Sequence, residues 1–285
     1  MFKIKSTQGC YPLPTSQFRW VGIYFFLLIH VVGLIGTPLY LFHQKVSAAE
    51  WALFIVYFIC SSMAITVGYH RLFTHAAYKT NALIRFLLLF FGASTFEQSA
   101  LKWASQHRQH HQFTDTNQDP YNIQKGFWYA HIGWIMFWKH RVNYDNVHDL
   151  QRSKLVMNQH HFYGLWSVVS GVVTPLAIGA WIGHLWGVFV MSVCLRLVLV
   201  MNSAFFINSF AHTFGDQPND KGISAKNHWL GALLTNGEGY HNFHHRYPTD
   251  YRNGIRWYQW DPSKWAIFFL SKLHLAWGLK KTGVL

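Results

Sequence analysis

Apolar residues in this chain run almost without interruption over long stretches, where a soluble domain would interleave them with polar ones. An α-helix needs about 20 such residues to cross a hydrocarbon core. Four stretches reach that length, at about Val21–Phe42, Trp51–Tyr69, Phe162–Ile182 and Leu185–Ile207. Only Gly183 and His184 separate the last two, which predicts a tight helical hairpin. Three shorter apolar pieces, Ala82–Phe96, Phe127–Trp138 and Trp265–Leu279, are read as helices lying in the membrane interface or packed in a cap. Trp103, Trp128, Trp134 and Trp138 suit that interfacial position. The first apolar segment is too long for a cleavable signal peptide and has no small-residue cleavage site.

Charge fixes an expected orientation. Charged residues make up 12% of the chain, about half the roughly 25% of a soluble domain. The formal net charge is +13, but the basic residues flank apolar spans, which points to anionic lipid headgroups rather than nucleic acid. Lys45 is alone in the first hairpin connection, and Gly183–His184 carries no charge. Nearly all other Lys and Arg lie in the N-terminal arm, in residues 70–160 and after Asn208, so these regions are expected to be cytoplasmic. The predicted fold is an all-α integral membrane protein of one domain, 1–285. Four transmembrane helices form two hairpins under a cytoplasmic helical cap (about 70–161 and 208–285), with both termini cytoplasmic. Arg196 is costly inside the fourth span; it either faces protein or water or snorkels to the interface.

Histidine is the anomaly, at 19 residues, and eight of these fall in three short clusters. They are His70 with His75, then His107, His110 and His111, then His241, His244 and His245. In the last two the i, i+3, i+4 spacing puts three imidazoles on one helical face. His70 and His75 are five apart and would diverge on an ideal α-helix, so a helix end or bend is expected. Neutral imidazole suits iron, zinc and copper. Eight rings exceed the need of one ion and match two ions with four to five ligands each. Carboxylate-bridged di-iron sites place Glu and Glu-x-x-His motifs on four helices, whereas here only Glu97 and Glu238 lie near a cluster, so the donor set is nearly all nitrogen. The three cysteines form no CxxC pair and suggest neither a thiolate site nor a disulfide framework.

These clusters and their surroundings resemble the membrane fatty-acyl desaturases of the stearoyl-CoA desaturase type. The likeness rests on Gly68–His75, Trp103–His111 with Asp119-Pro120, Lys154–Met157, Asn208 to His212, Gly237–His245, Tyr247-Pro248 and Asp250-Tyr251, in that order over about residues 20 to 280. The resemblance implies a ninth ligand, His212, and a role for Asn208 in holding a metal through water. It implies two iron ions, which zinc can replace during purification, with O2 and two electrons as co-substrates. The implied reaction puts a cis double bond, at the ninth carbon, into a saturated acyl chain carried as acyl-CoA or acyl-lipid within the membrane lipid. Electrons come from an external donor such as ferredoxin or cytochrome b5. Gln98, Ser105 and Gln106 stand where acyl-CoA enzymes carry an Arg-Asp pair and other polar contacts to the nucleotide, and Lys139 and Arg141 are candidate phosphate contacts. Gly237 and Gly239 are expected to turn the backbone before the third cluster. Glu238 between them either orients a ligand histidine or is solvated. A hydroxylase or alkane monooxygenase on the same scaffold is an alternative. A membrane metal transporter is a second, disfavoured because transporters hold ligands near the bilayer midplane.

Overall fold

The computed structural model describes residues 20–137 and 142–283. Trp138, Lys139, Arg141 and the N-terminal arm therefore lie outside the described residues. Four helices are long and apolar enough to cross a membrane: α1 (Trp20–His43), α2 (Ala48–Thr74), α7 (Tyr163–Trp181) and α8 (Leu185–His212). Between α2 and α7 lie α3 (Ala82–Ala93), α4 (Ala100–Phe113), α5 (129–137) and α6 (Lys154–His161). After α8 come α9 (Trp229–Leu234), α10 (His241–Arg246) and α11 (Pro262–Lys272). The strands β1 (Lys79–Thr80) and β2 (Ala276–Trp277) pair antiparallel and pin the tail to the exit of α2.

Helix α2 opens with a capping box: the Ser47 hydroxyl accepts from the Glu50 N–H while Glu50 Oε2 accepts from the Ser47 N–H at 2.8 Å. Glu50 also accepts from the Tyr40 hydroxyl at 2.7 Å and lies 3.2 Å from His184 Nδ1. The turns of the two hairpins are thereby tied together at one end of the bundle. The helices are not uniformly α. π-helical segments at Val32–Gly36 and Val169–Val173 stand just before Pro38 and Pro175, whose missing N–H and ring bulk force the preceding turn to widen. The twelve-residue α3 is too short to cross a membrane, in line with its reading as a cap or interface helix.

Arg196 faces protein. It is fully buried in α8 and donates to Ser192 O (2.7 Å), Ser61 Oγ and Ser94 O (both 3.0 Å) and Gly171 O (3.2 Å). Its plane lies 5.7 Å from the Tyr57 ring centroid. One guanidinium fork therefore ties α8 to α2, α7 and the loop after α3, with neutral oxygens in place of a counter-ion. Arg196→Ala would orphan these acceptors and leave a void; the expected cost is about 3 kcal/mol, read as a lower melting temperature in detergent, with Arg196→Lys recovering only part.

Candidate metal centre and adjoining cavity

The last eleven residues of α2, Ala64–Thr74, wind as a π-helix. His75 caps its C-terminus, so the pair stands at a helix end, one of the two arrangements expected from its spacing. With i→i+5 bonding, residues five apart lie one above the other, and the His75 N–H donates to His70 O at 3.1 Å. Helix α4 presents His107, His110 and His111, α10 presents His241, His244 and His245, and the last turn of α8 presents His212.

These nine imidazoles sort into two groups that cut across the sequence clusters. His70, His75, His107, His111 and His244 form one, and His110, His212, His241 and His245 form the other. Within each group the ligand atoms lie within 4.8 Å of one another. The groups abut where His111 and His245 stack at a centroid distance of 4.2 Å. Nε2 atoms converge: His70 to His244 at 2.9 Å, His244 to His111 at 3.0 Å, and His245 to His241 at 3.1 Å.

Outer contacts assign the protons of three rings. His70 Nδ1 lies 2.9 Å from Glu238 Oε2, His110 Nδ1 is 2.8 Å from Asp119 Oδ1, and His212 Nδ1 is 2.6 Å from Ser224 Oγ. At His110 and His212 the Nδ1 atom carries the ring's proton toward an oxygen, so Nε2 presents its lone pair inward, and at His70 the Glu238 carboxylate favours the same tautomer by charge. Burial first, and the neighbouring imidazoles second, hold His75, His107, His111, His241, His244 and His245 well below the usual histidine value. Lone pairs facing each other near 3 Å, with buried Nε2 atoms of His75 and His212 lacking a partner among the described residues, leave an arrangement that a cation satisfies. An all-imidazole set selects a borderline transition metal.

The outer layer is ionic. Glu238 is fully buried, which removes the solvated alternative; burial raises its carboxyl, but Arg71 and His70 outweigh that and hold it below the usual range. Arg71 bonds Glu238 Oε1 and Asp261 Oδ1, both at 2.9 Å, and Tyr251 O at 2.7 Å. Gly237 sits at φ +96°, and a Cβ there would lie 2.6 Å from Asp261 Oδ1. A Cβ on Gly239 would lie 2.0 Å from the Ala232 nitrogen. Asp115, at φ 65°, grips both the hydroxyl and the N–H of Ser224 and so fixes the support of His212. Sequence reasoning missed Asp115, Ser224 and Asp261, which are brought in by long-range folding. Asp119 stood in the quoted Asp-Pro motif without a role.

A cavity of about 390 Å³ opens beside the first group. Its walls are mainly apolar, with Phe25 and Phe26 from α1, Trp134 and Ile135 from α5, and Met201 and Phe205 from α8. His70, His107 and Asn208 face it. Asn208 therefore lies on the cavity wall one turn before His212. Trp103 and Trp134 are not interfacial as expected: Trp134 is buried, and Trp103 stacks on His107 at 4.7 Å and meets His70 edge-on at 5.9 Å. Trp128 is 72% exposed, as an interfacial residue would be. Gln98 and Gln106 line the cavity, while Ser105 is buried on Asn143 O.

Asp119→Asn should lower metal affinity about 10- to 100-fold with the fold retained, measured as metal per chain after dialysis against a graded chelator. The six depressed histidines also set a pH dependence for the metal-free chain. Below 6.5, the ordinary histidine value, the unfolded chain binds more protons than the folded one. Stability is thus complete above that pH and falls below it, so melts at about pH 5.5 are expected under those at about pH 7.5.

Comparison with known proteins agrees with this geometry. The fatty acid desaturase family profile matches residues 47–268. A protein of Schizosaccharomyces pombe named "Probable acyl-CoA desaturase" is 42% identical over 256 residues, covering 88% of this chain and 52% of its own length. Stearoyl-CoA desaturase 4 of Mus musculus is 33% identical over 283 residues, 95% of this chain and 78% of the relative. The sn-1 stearoyl-lipid 9-desaturase of Synechocystis is 33% identical over 271 residues, with 92% and 80% covered. The chain thus spans about half the length of the fission-yeast relative.

Proposed function

The chain belongs to the fatty acid desaturase family, and on that premise we propose that it is an O2-dependent fatty-acyl desaturase placing a cis double bond, at the ninth carbon, in a saturated chain. The observation that carries this reading is a pair of abutting imidazole groups, the first of which borders a mainly apolar cavity through His70 and His107. His70, His75, His107, His111 and His244 would hold one iron and His110, His212, His241 and His245 the other, with Asn208 adding a water-mediated contact. When bound, the iron pair supplies the redox chemistry that couples dioxygen reduction to removal of two hydrogens from adjacent methylenes. The balance is –CH2–CH2– plus O2, two electrons and two protons, giving –CH=CH– and two waters. An external one-electron carrier, a ferredoxin or cytochrome b5, supplies the electrons.

The protein's own part is positioning. Phe25, Phe26, Met201 and Phe205 exclude water and take an acyl chain by apolar contact, and the Trp103 indole walls the segment next to His70 and His107. Removing two hydrogens rather than inserting oxygen requires both C–H bonds near the oxidant, which a fixed chain path enforces. An acyl-lipid carrier fits as well as acyl-CoA: relatives of both names are similar to this chain, and Gln98, Ser105 and Gln106 offer no charge to a nucleotide. The metal-bearing end of the bundle and both termini are assigned to the cytoplasm by the distribution of Lys and Arg.

Expression in a desaturase-deficient host should yield a new monounsaturated acid by gas chromatography and mass spectrometry, and the fragments give the bond position. A hydroxylated acid in its place would support the monooxygenase reading. His244→Ala should abolish the product and lower bound iron, with the protein still in the membrane fraction; an alanine variant of full activity would sink the ligand assignment.

A further inference from the structure

The cavity wall contains a second acidic residue whose situation differs from that of Glu238. Glu97 lies in the loop from α3 to α4, is 9% exposed, and lines the cavity with Trp103, His70 and His107. Its Oε1 has no hydrogen-bond partner among the described residues. Both neighbours in sequence hold left-handed backbone without being glycine, Phe96 at φ 59° and Gln98 at φ 82°. Such conformations persist only where the surroundings impose them, and here the paired reversals accompany a carboxyl buried in the wall of an apolar chamber. An ionised carboxylate buried without a cation is expensive, and taking up a proton is the ready relief.

We propose that Glu97 is the proton donor of this cavity, delivering one of the two protons consumed as dioxygen is reduced to water. The inference rests on the desaturase reading. Burial pushes the Glu97 carboxyl up to about 8, against an opposing pull from its hydrogen bond with Trp103, so it carries its proton at neutral pH. Tyr69 of α2, Tyr121 and Tyr163 of α7 lie within electrostatic reach of it, and Lys102 and His107 of α4 and His70 of α2 share its cavity wall. Tyr69 accepts from Gln159 Nε2 at 2.6 Å and Tyr163 from the Gln98 N–H at 2.9 Å, so both hydroxyls have partners. Glu238, on the same cavity, is committed to Arg71 and His70. In the step itself the Glu97 O–H bond breaks, and its proton goes to an oxygen derived from O2. The electrons come from the external carrier, and the carboxylate regains a proton from water.

The test uses the full-length protein in lipid vesicles. Infrared difference spectra of wild type against Glu97→Gln should show the carbonyl stretch of a protonated carboxylic acid in wild type. The band should shift in D2O, fade as pH rises through about 8, and be absent from the variant. Turnover of Glu97→Gln should fall about 10²-fold or more, with iron content and substrate KM unchanged and partial recovery in Glu97→Asp. No acid band at neutral pH, a band that survives in Glu97→Gln, or unaltered turnover each overturns the proposal. So does loss of iron in Glu97→Gln, which would make Glu97 a ligand. The infrared signal needs no turnover, so an acid band in wild-type protein that makes no unsaturated product would sink the desaturase reading and leave the proton site standing.

Discussion

The structure turns on one buried cation. Arg71 lies at the histidine-bearing end of α2, next in sequence to His70, and is held between Glu238 and Asp261. Glu238 belongs to the loop that launches α10, and Asp261 caps α11. A single guanidinium thus fixes α2, the third histidine cluster and the tail relative to one another. Its two carboxylates exceed its charge by one, and His70, facing Glu238, uses that surplus to orient its ring. Removing one member of such a group strands the others in a place where water cannot repair the loss, at about 3–5 kcal/mol.

The same economy of charge recurs through the bundle. Arg196 is met by neutral oxygens, while the far end is closed by Glu50 with Tyr40 and His184. Polar groups therefore clamp the hairpins at mid-depth and at their turns, while α1, α5 and α8 give the cavity mainly apolar walls. The cavity is the gap those clamps hold open, and the imidazole groups sit beside it because α2, which reaches the cavity, carries His70 and His75 into them.

Much of this could be read in the chain before folding. Span length alone gave four long helices, and the spacing of His107, His110 and His111 gave a common helical face. Spacing could not give the sorting of the rings. His107 and His111 go to one group and His110 to the other according to which rings of α2, α8 and α10 meet them, a fact of packing rather than of periodicity. The π winding of Ala64–Thr74 was equally illegible, since nothing in composition separates it from an α-helix that bends. Trp103 and Trp134 misled because an aromatic beside a span suits an interface as well as a cavity wall. Asp115 and Ser224 support His212 from 109 residues apart, a separation at which a single sequence holds no signal.

The π-wound end of α2 has a consequence for how such a protein can change over generations. Point substitutions there alter one side chain and leave the hydrogen-bond ladder in place. A one-codon deletion between Ala64 and His70 would remove one step of the winding. Everything beyond the lost residue would then rotate by roughly a quarter turn about the helix axis. His75 would swing away from His107 and His244 while the apolar face of the span stayed as it was. Descent can therefore vary the letters of this segment with some freedom and its length with almost none. The membrane anchor and the metal pocket share one helix, and an insertion or deletion would part them without disturbing either alone.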